Sequence, residues 1–241
     1  SYILFRIRRP PRSTLFPTTT LFRSGKVTAI IVSTGSGKTT LVNLLPRFYD
    51  VTSGNIKIDG VPIKSVKQKD LRALIGYAPQ KASLFSGTIE SNLLFGDESA
   101  NLDQINEAIE IAQANEIVKE KPEGLQAPIS QSGGNVSGGQ KQRLSIARAL
   151  IKKPKVYIFD DSFSALDYKT DSALRAALKT KTNNATVILV AQRISTIKNA
   201  DQILVLDEGK LVGRGTHAEL MANCKTYQEI DLSQLSMEEL S

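Results

Sequence analysis

The chain has 241 residues, of which 41% are hydrophobic, with a formal charge of +7, one cysteine and one histidine. That length can bury one sizeable core with room for a subdomain, while Cys224 alone excludes an internal disulfide and His217 alone excludes a His-rich metal site. The charge does not point to nucleic acid: five of the 31 Lys and Arg residues (Arg6, Arg8, Arg9, Arg12 and Arg23) sit in the first 24, which hold no Asp or Glu. The rest is close to neutral, with no basic stripe interleaved with aromatics, so no nucleic-acid partner is expected.

In chain order, residues 1–24 show neither strand alternation nor a helical stripe, and they carry Pro10, Pro11 and Pro17. The run from Thr14 to Ser24 closely resembles a translated sequencing adapter, with Thr18 the one departure. The segment is therefore predicted to be non-native or disordered. Next, Val27 to Val32 reads as a buried parallel strand and Leu41 to Leu45 as a helix. Between them stands Ser33-Thr34-Gly35-Ser36-Gly37-Lys38-Thr39-Thr40. A strand, a Gly-rich turn and a helix start form a device for holding phosphate: backbone N–H groups turn inward and the helix dipole favours an anion. Lys38 would reach the β- and γ-phosphates and the Thr39 hydroxyl would sit on Mg²⁺. Val32 departs from the pattern, because a stiff β-branched residue stands where the first glycine belongs.

Gly54 to Val61 alternates around Asp59-Gly60 and predicts a hairpin. A short helix closes over Leu71–Leu74, and Ile75 to Pro79 predicts a strand ending at Gln80. Asn101 to Glu120 predicts one helix with Ile105, Ala108, Ile109 and Ala112 on its apolar face. Ser137 is the expected N-cap of a helix from Gly138 to about Lys152. Lys155 to Phe159 and Ala185 to Ala191 predict buried strands ending at Asp160-Asp161 and Gln192. A hairpin turns at Glu208-Gly209, and Thr216 to Glu219 is a capping box that makes His217 a first-turn surface residue. Cys224 reads as an inert surface or helix residue. The class is α/β, a mostly parallel sheet with Lys38, Gln80, Asp160 and Gln192 at strand ends, where such sheets bind ligands.

Ser137-Gly138-Gly139-Gln140 is a second glycine turn at a second helix start, which fits a nucleotide presented by another subunit. With it, the sequence resembles the nucleotide-binding domain of ABC transporters over residues 25–241. The matching residues follow in family order: the phosphate loop to Thr40, Gln80 of the Q-loop, Ser137 to Gln140 of the signature, Asp160 of Walker B, and Ser164 to Asp167 of the D-loop. Leu84 to Leu93, and Asp207 to Lys210 followed by Gly215 to His217, are similar to exporters.

The resemblance implies a phosphate-loop NTPase fold, RecA-like, with a small and here incomplete antiparallel part and a helical subdomain inserted at roughly 88–152. It implies ATP and Mg²⁺, with phosphates on Thr34, Gly35, Ser36, Gly37, Lys38, Thr39 and Thr40 and the metal on Thr39, Gln80 and Asp160. Ser137, Gly138, Gly139 and Gln140 would meet the partner's ATP. It also implies a transmembrane domain, absent from this chain, that holds the domain at the cytoplasmic face of a bacterial plasma membrane.

Two departures bear on mechanism. Asp161 stands where the family carries its catalytic glutamate, one methylene too short for the attacking water. Gln192 stands where the family has its switch histidine; it donates a hydrogen bond but takes no charge. Both fall in the site built on this chain's own phosphate loop, while the signature is intact. The pattern resembles the degenerate half of a heterodimeric multidrug-type exporter, with a slow site of its own and a second half-transporter as partner. Two other functions stay open: a soluble ABC ATPase without transport, and an ATP-binding regulatory subunit that never hydrolyses. Gln131 stands where many exporters have an acid before the signature. No adenine-stacking aromatic is assigned, since Tyr2 has no matching context.

Overall fold

The computed structural model describes residues 2–6, 19–32, 38–182 and 184–238. Its first strands are β1 (Tyr2–Arg6), β2 (Thr19–Arg23) and β3 (Val27–Val32), and helix α1 (Lys38–Asn43) follows. β4 (Asn55–Ile58) and β5 (Val61–Pro62) form the expected hairpin, and its turn residues Asp59 and Gly60 both have positive φ, 50° and 82°. Helix α2 (Gln68–Ala73) leads into β6 (Ile75–Ala78). A helical block follows: α3 (Ile89–Leu94), α4 (Leu102–Ile111), α5 (Asn115–Lys119) and α6 (Gly138–Ile151). The two-residue strands β7 (Gly87–Thr88) and β8 (Pro128–Ile129) pair within this block. The remaining elements are β9 (Val156–Asp160), α7 (Tyr168–Lys181), β10 (Thr186–Ala191), α8 (Ile194–Ile197), β11 (Gln202–Asp207), β12 (Lys210–Gly215), α9 (His217–Asn223) and α10 (Lys225–Glu238).

The main sheet has six strands in the order β12-β11-β3-β10-β9-β6, all parallel except β12. β3, β10 and β9 are covered on both faces, which is why they read as unbroken apolar runs. Alternate residues serve different layers. Ala29, Ile31, Phe159 and Leu189 face the core shared with α3, α4, α6 and α7. Ile30, Val32, Ile158 and Val190 face the core shared with α1 and the smaller sheet. Gly76 lets α6 press against β6: a Cβ there would lie 2.4 Å from the Ala149 carbonyl oxygen.

Four expectations need correction. The predicted structureless segment contributes β1 and β2 to an antiparallel sheet ordered β2-β1-β4-β5, and Leu21 and Phe22 are fully buried. The small sheet therefore has strands beyond the hairpin expected of it; residues 7–18, with all three prolines of the segment, lie outside the described residues. The helix predicted over Asn101–Glu120 breaks into α4 and α5 at Gln113, whose φ is 55°. Arg143 of α6 donates to the Gln113 carbonyl at 2.8 Å, satisfying a group that the break exposes. His217 is half-buried, its Nδ1 2.9 Å from the buried Tyr227 hydroxyl, and Cys224 is buried between α9 and α10. Among the described residues no helix is long and apolar enough to cross a membrane.

Candidate functional site

Parallel strands β3, β6, β9 and β10 deliver their carboxyl ends to one edge of the sheet. Ser33, Thr34, Gly35, Ser36 and Gly37 lie outside the described residues. Lys38, Thr39 and Thr40 form the first turn of α1, where N–H groups lack intrahelical partners. Val32 is the last residue of β3 and is buried, paired with Leu206, so the strand runs through the position at which a glycine would begin the loop.

Asp160 ends β9 and is 1% exposed. The Tyr77 hydroxyl lies 2.9 Å from Asn43 Oδ1 and 3.2 Å from Asp160 Oδ2, sharing its single proton between them. Burial, and then the Asp160 charge, push the Tyr77 pKa well up, so the phenol stays a donor. Neither Tyr77 nor Asn43 was expected at the site. The strand-end position of Tyr77, three residues before Gln80, was the one available hint.

Asp161 turns the chain out of the sheet with φ 50°, and its N–H donates to the Val190 carbonyl at 2.9 Å. That corner aims its side chain at two amides. Gln80 Nε2 donates to Asp161 Oδ2 at 3.0 Å and Gln192 Nε2 to the same oxygen at 2.5 Å. Asp161 is 4% exposed whereas both glutamines are exposed, so solvent-facing amides close over a buried carboxylate. Thus Gln80, Asp160, Asp161 and Gln192, far apart in sequence, meet at one edge. The backbone of Gln192 is itself held: Gln234 Nε2 donates to its carbonyl at 2.6 Å. No pattern in the sequence marked Gln234.

Ser137 caps α6 as expected. Its Oγ accepts from Gln140 N at 3.2 Å and its N–H donates to Gln140 Oε1 at 3.0 Å. Each side-chain oxygen accepts the other residue's backbone N–H, and Gly138 and Gly139 stand between them without side chains at the helix start. A Cβ on Gly139 would lie 3.3 Å from the Ala165 carbonyl, so the signature turn abuts the D-loop. In that loop Ser164 Oγ donates to the Asp161 carbonyl at 2.8 Å, and Asp167 caps α7 through Thr170 N at 2.9 Å and Thr170 Oγ1 at 2.7 Å. The Thr170 N–H, then its hydroxyl, hold the Asp167 carboxyl below the usual range.

The helical block is tied to the sheet by Gln142, whose Nε2 donates to the Pro79 carbonyl at 3.1 Å, next to Gln80. Asn92 is buried and fully used, accepting from Phe85 N and donating to the Phe85 and Thr88 carbonyls. Arg148 donates to Asn92 and Ser83 and lies over the rings of Phe85 and Phe95, which are 47% and 66% exposed. An exposed aromatic pair on a rigid polar base results. The stretch Leu84 to Leu93 supplies Phe85 and Asn92 of it, while Phe95 and Arg148 come from outside that stretch.

Fold and site together define a nucleotide-binding α/β domain of the phosphate-loop class. A model of the ABC transporter family matches residues 17–164, and the chain belongs to that family. An ABC transporter ATP-binding protein of Mycobacterium tuberculosis is 47% identical over 215 residues, which covers 88% of this chain and 37% of that protein. The YfiB ABC transporter ATP-binding protein of Bacillus subtilis is 43% identical over 237 residues, 98% of this chain and 41% of its own length. An ATP-dependent lipid A-core flippase of Xanthomonas oryzae pv. oryzae is 44% identical over 207 residues, with 86% and 35% covered. The solved structure of a bacterial Atm1-family ABC exporter with ATP bound superposes with TM-score 0.87 at 34% identity, covering 95% of this chain and 41% of that one. The chain spans less than half the length of these relatives.

Proposed function

We propose that this chain is the ATP-binding half of an ABC exporter subunit whose own site is slow and whose signature completes a faster site in a partner. The observation that carries the reading is the pair of amides on Asp161. A carboxylate that must take a proton from water is here the acceptor of two amide donors on one oxygen, so the lone pairs that would receive that proton are already occupied. It is also one methylene shorter than the glutamate it replaces, and misplacement of about 1 Å can cost on the order of a hundredfold in rate.

Residues Thr34 to Thr40 hold the phosphates through backbone N–H groups and Lys38. The oxygen donors of Thr39, Gln80 and Asp160 suit Mg²⁺, a hard cation that takes few protein ligands beside phosphate and water. Bound Mg²⁺ would neutralise charge developing between the β- and γ-phosphates. Gln192 donates to the γ-phosphate after leaving Asp161, and Gln80 swings from Asp161 to its metal role. Ser137, Gly138, Gly139 and Gln140 present a helix start to the partner's nucleotide, beside the loop that Ser164 and Asp167 shape.

The partner is a second half-transporter, and the exposed Phe85–Phe95 pair is the landing for a transmembrane domain. The work is done at the cytoplasmic face of the membrane. Mutation in the assembled pair tests the asymmetry. Gly138→Asp puts a carboxylate where phosphate belongs and should cut ATP hydrolysis on the order of a hundredfold or more, whereas Asp161→Asn should leave it nearly unchanged. Equal losses refute the assignment. ATPase assays of the chain with and without a partner separate this reading from a subunit that never hydrolyses. The adapter-like reading of residues 1–24 stands apart: sequencing the locus from intact genomic DNA decides it, and the same codons found there end it.

A further inference from the structure

Helix α8 begins at Ile194 with Arg193 at its N-cap, and Arg193 makes no capping hydrogen bond. The missing cap comes from another element. Ile194 N donates to Gln234 Oε1 at 2.9 Å, while Gln234 Nε2 donates to the Gln192 carbonyl at 2.6 Å. One carboxamide thus uses both ends on backbone groups two residues apart, which fixes the loop from Gln192 to Ile194 in position and orientation. The side chain of Gln192, on that fixed backbone, reaches Asp161.

The clamp is itself anchored. Tyr227, Ile230 and Gln234 recur at helical spacing along one stripe of α10. Tyr227 is fully buried and bonded to His217, and Ile230 packs on the core that contains Ile194 and Ile197. The stripe that seats the helix on α8 and β11 therefore carries Gln234 to the loop one turn later.

We propose that Gln234 is a positioning residue for ATP hydrolysis at this chain's own site, with α10 setting the aim of Gln192. The proposal rests on Gln192 and Asp161 belonging to that site. Its test compares Gln234→Met, which keeps length and helix propensity but removes both hydrogen bonds, with Gln234→Glu, which keeps the acceptor for Ile194 and loses the donor to Gln192. Both are made in the full chain within the assembled transporter. Hydrogen exchange is read at the Ile194 amide, ATP affinity by titration, and own-site hydrolysis by single turnover with limiting ATP.

Gln234→Met should free the Ile194 amide and slow the chemical step about tenfold, a fraction of what a full 1 Å misplacement costs, with ATP affinity nearly unmoved. Gln234→Glu should keep Ile194 protected and slow the step less. A wild-type rate alongside a freed Ile194 amide overturns the proposal, as does a loss of affinity as large as the loss of rate. So does an Ile194 amide as protected in Gln234→Met as in wild type. Should Gln234→Met not fold, Gln234→Glu carries the test, and an unchanged rate there overturns it. A fast wild-type own site would sink the slow-site reading alone, because the ratio of variant to wild type still reports on the clamp.

Discussion

The two regions proposed to meet nucleotide are built on opposite plans. At the carboxyl end of the sheet the polar side chains turn toward one another, with Gln80 and Gln192 both spent on Asp161. At the start of α6 the side chains of Ser137 and Gln140 are also satisfied, but by a reciprocal cap that leaves the glycine backbone facing outward. The first arrangement must be dismantled before it can act on a nucleotide. The second is ready as it stands, because a helix start needs no rearrangement to attract an anion. The proposed division of labour fits this contrast: a preformed backbone site suits use by a partner, whereas the sheet-edge site has to be opened first.

The largest effects should come from the outward-facing region, as the Gly138→Asp experiment above requires. Next in size is an attempt to rebuild the inward-facing one. Restoring Glu at 161 together with His at 192 should raise own-site turnover on the order of a hundredfold, and either change alone should give much less, since each leaves the other defect in place. Single-turnover ATP hydrolysis measures it, and full recovery from Asp161→Glu alone would show that reach, without the amide contact, sets the rate at the proposed slow site. A smaller, purely structural effect is expected between the two regions. Asn92→Leu strands the Phe85 N–H and two carbonyls and removes a partner of Arg148, at a cost of about 3 kcal/mol in a urea titration.

The smallest effect concerns pH at the D-loop. Asp167 has its folded pKa lowered by its cap to Thr170, so its contribution is complete above the unfolded aspartate value and fades as pH falls through the folded one. The melting-temperature gap between wild type and Asp167→Asn should therefore narrow on acidification below the usual aspartate range. A gap that widened there would reverse the sign of the linkage.

Much of this was legible beforehand because parallel strands advertise themselves. β3, β9 and β10 are mostly apolar, and Asp160 at the end of β9 and Gln192 just after β10 mark the ligand edge. The cap of α6 was legible too, since Ser137 and Gln140 interact across three residues. What escaped depends on contacts that sequence neighbours do not record. β1 needs β4 as a neighbour before it reads as a strand. Gln113 breaks a helix in a left-handed conformation usually left to glycine, with help from Arg143 thirty positions away. Gln234 looks like any polar helix residue until α8, which lacks a cap of its own, is set beside it.

The corner at Asp161 has a consequence for how such a domain drifts under mutation. Its φ of 50° lies where short polar side chains settle more easily than longer ones, because aspartate can bond locally to its own backbone. Glutamate there keeps its reach at the expense of conformational comfort. Under the proposed slow-site reading, where reach toward a water matters less, the backbone of this corner favours the shorter acid.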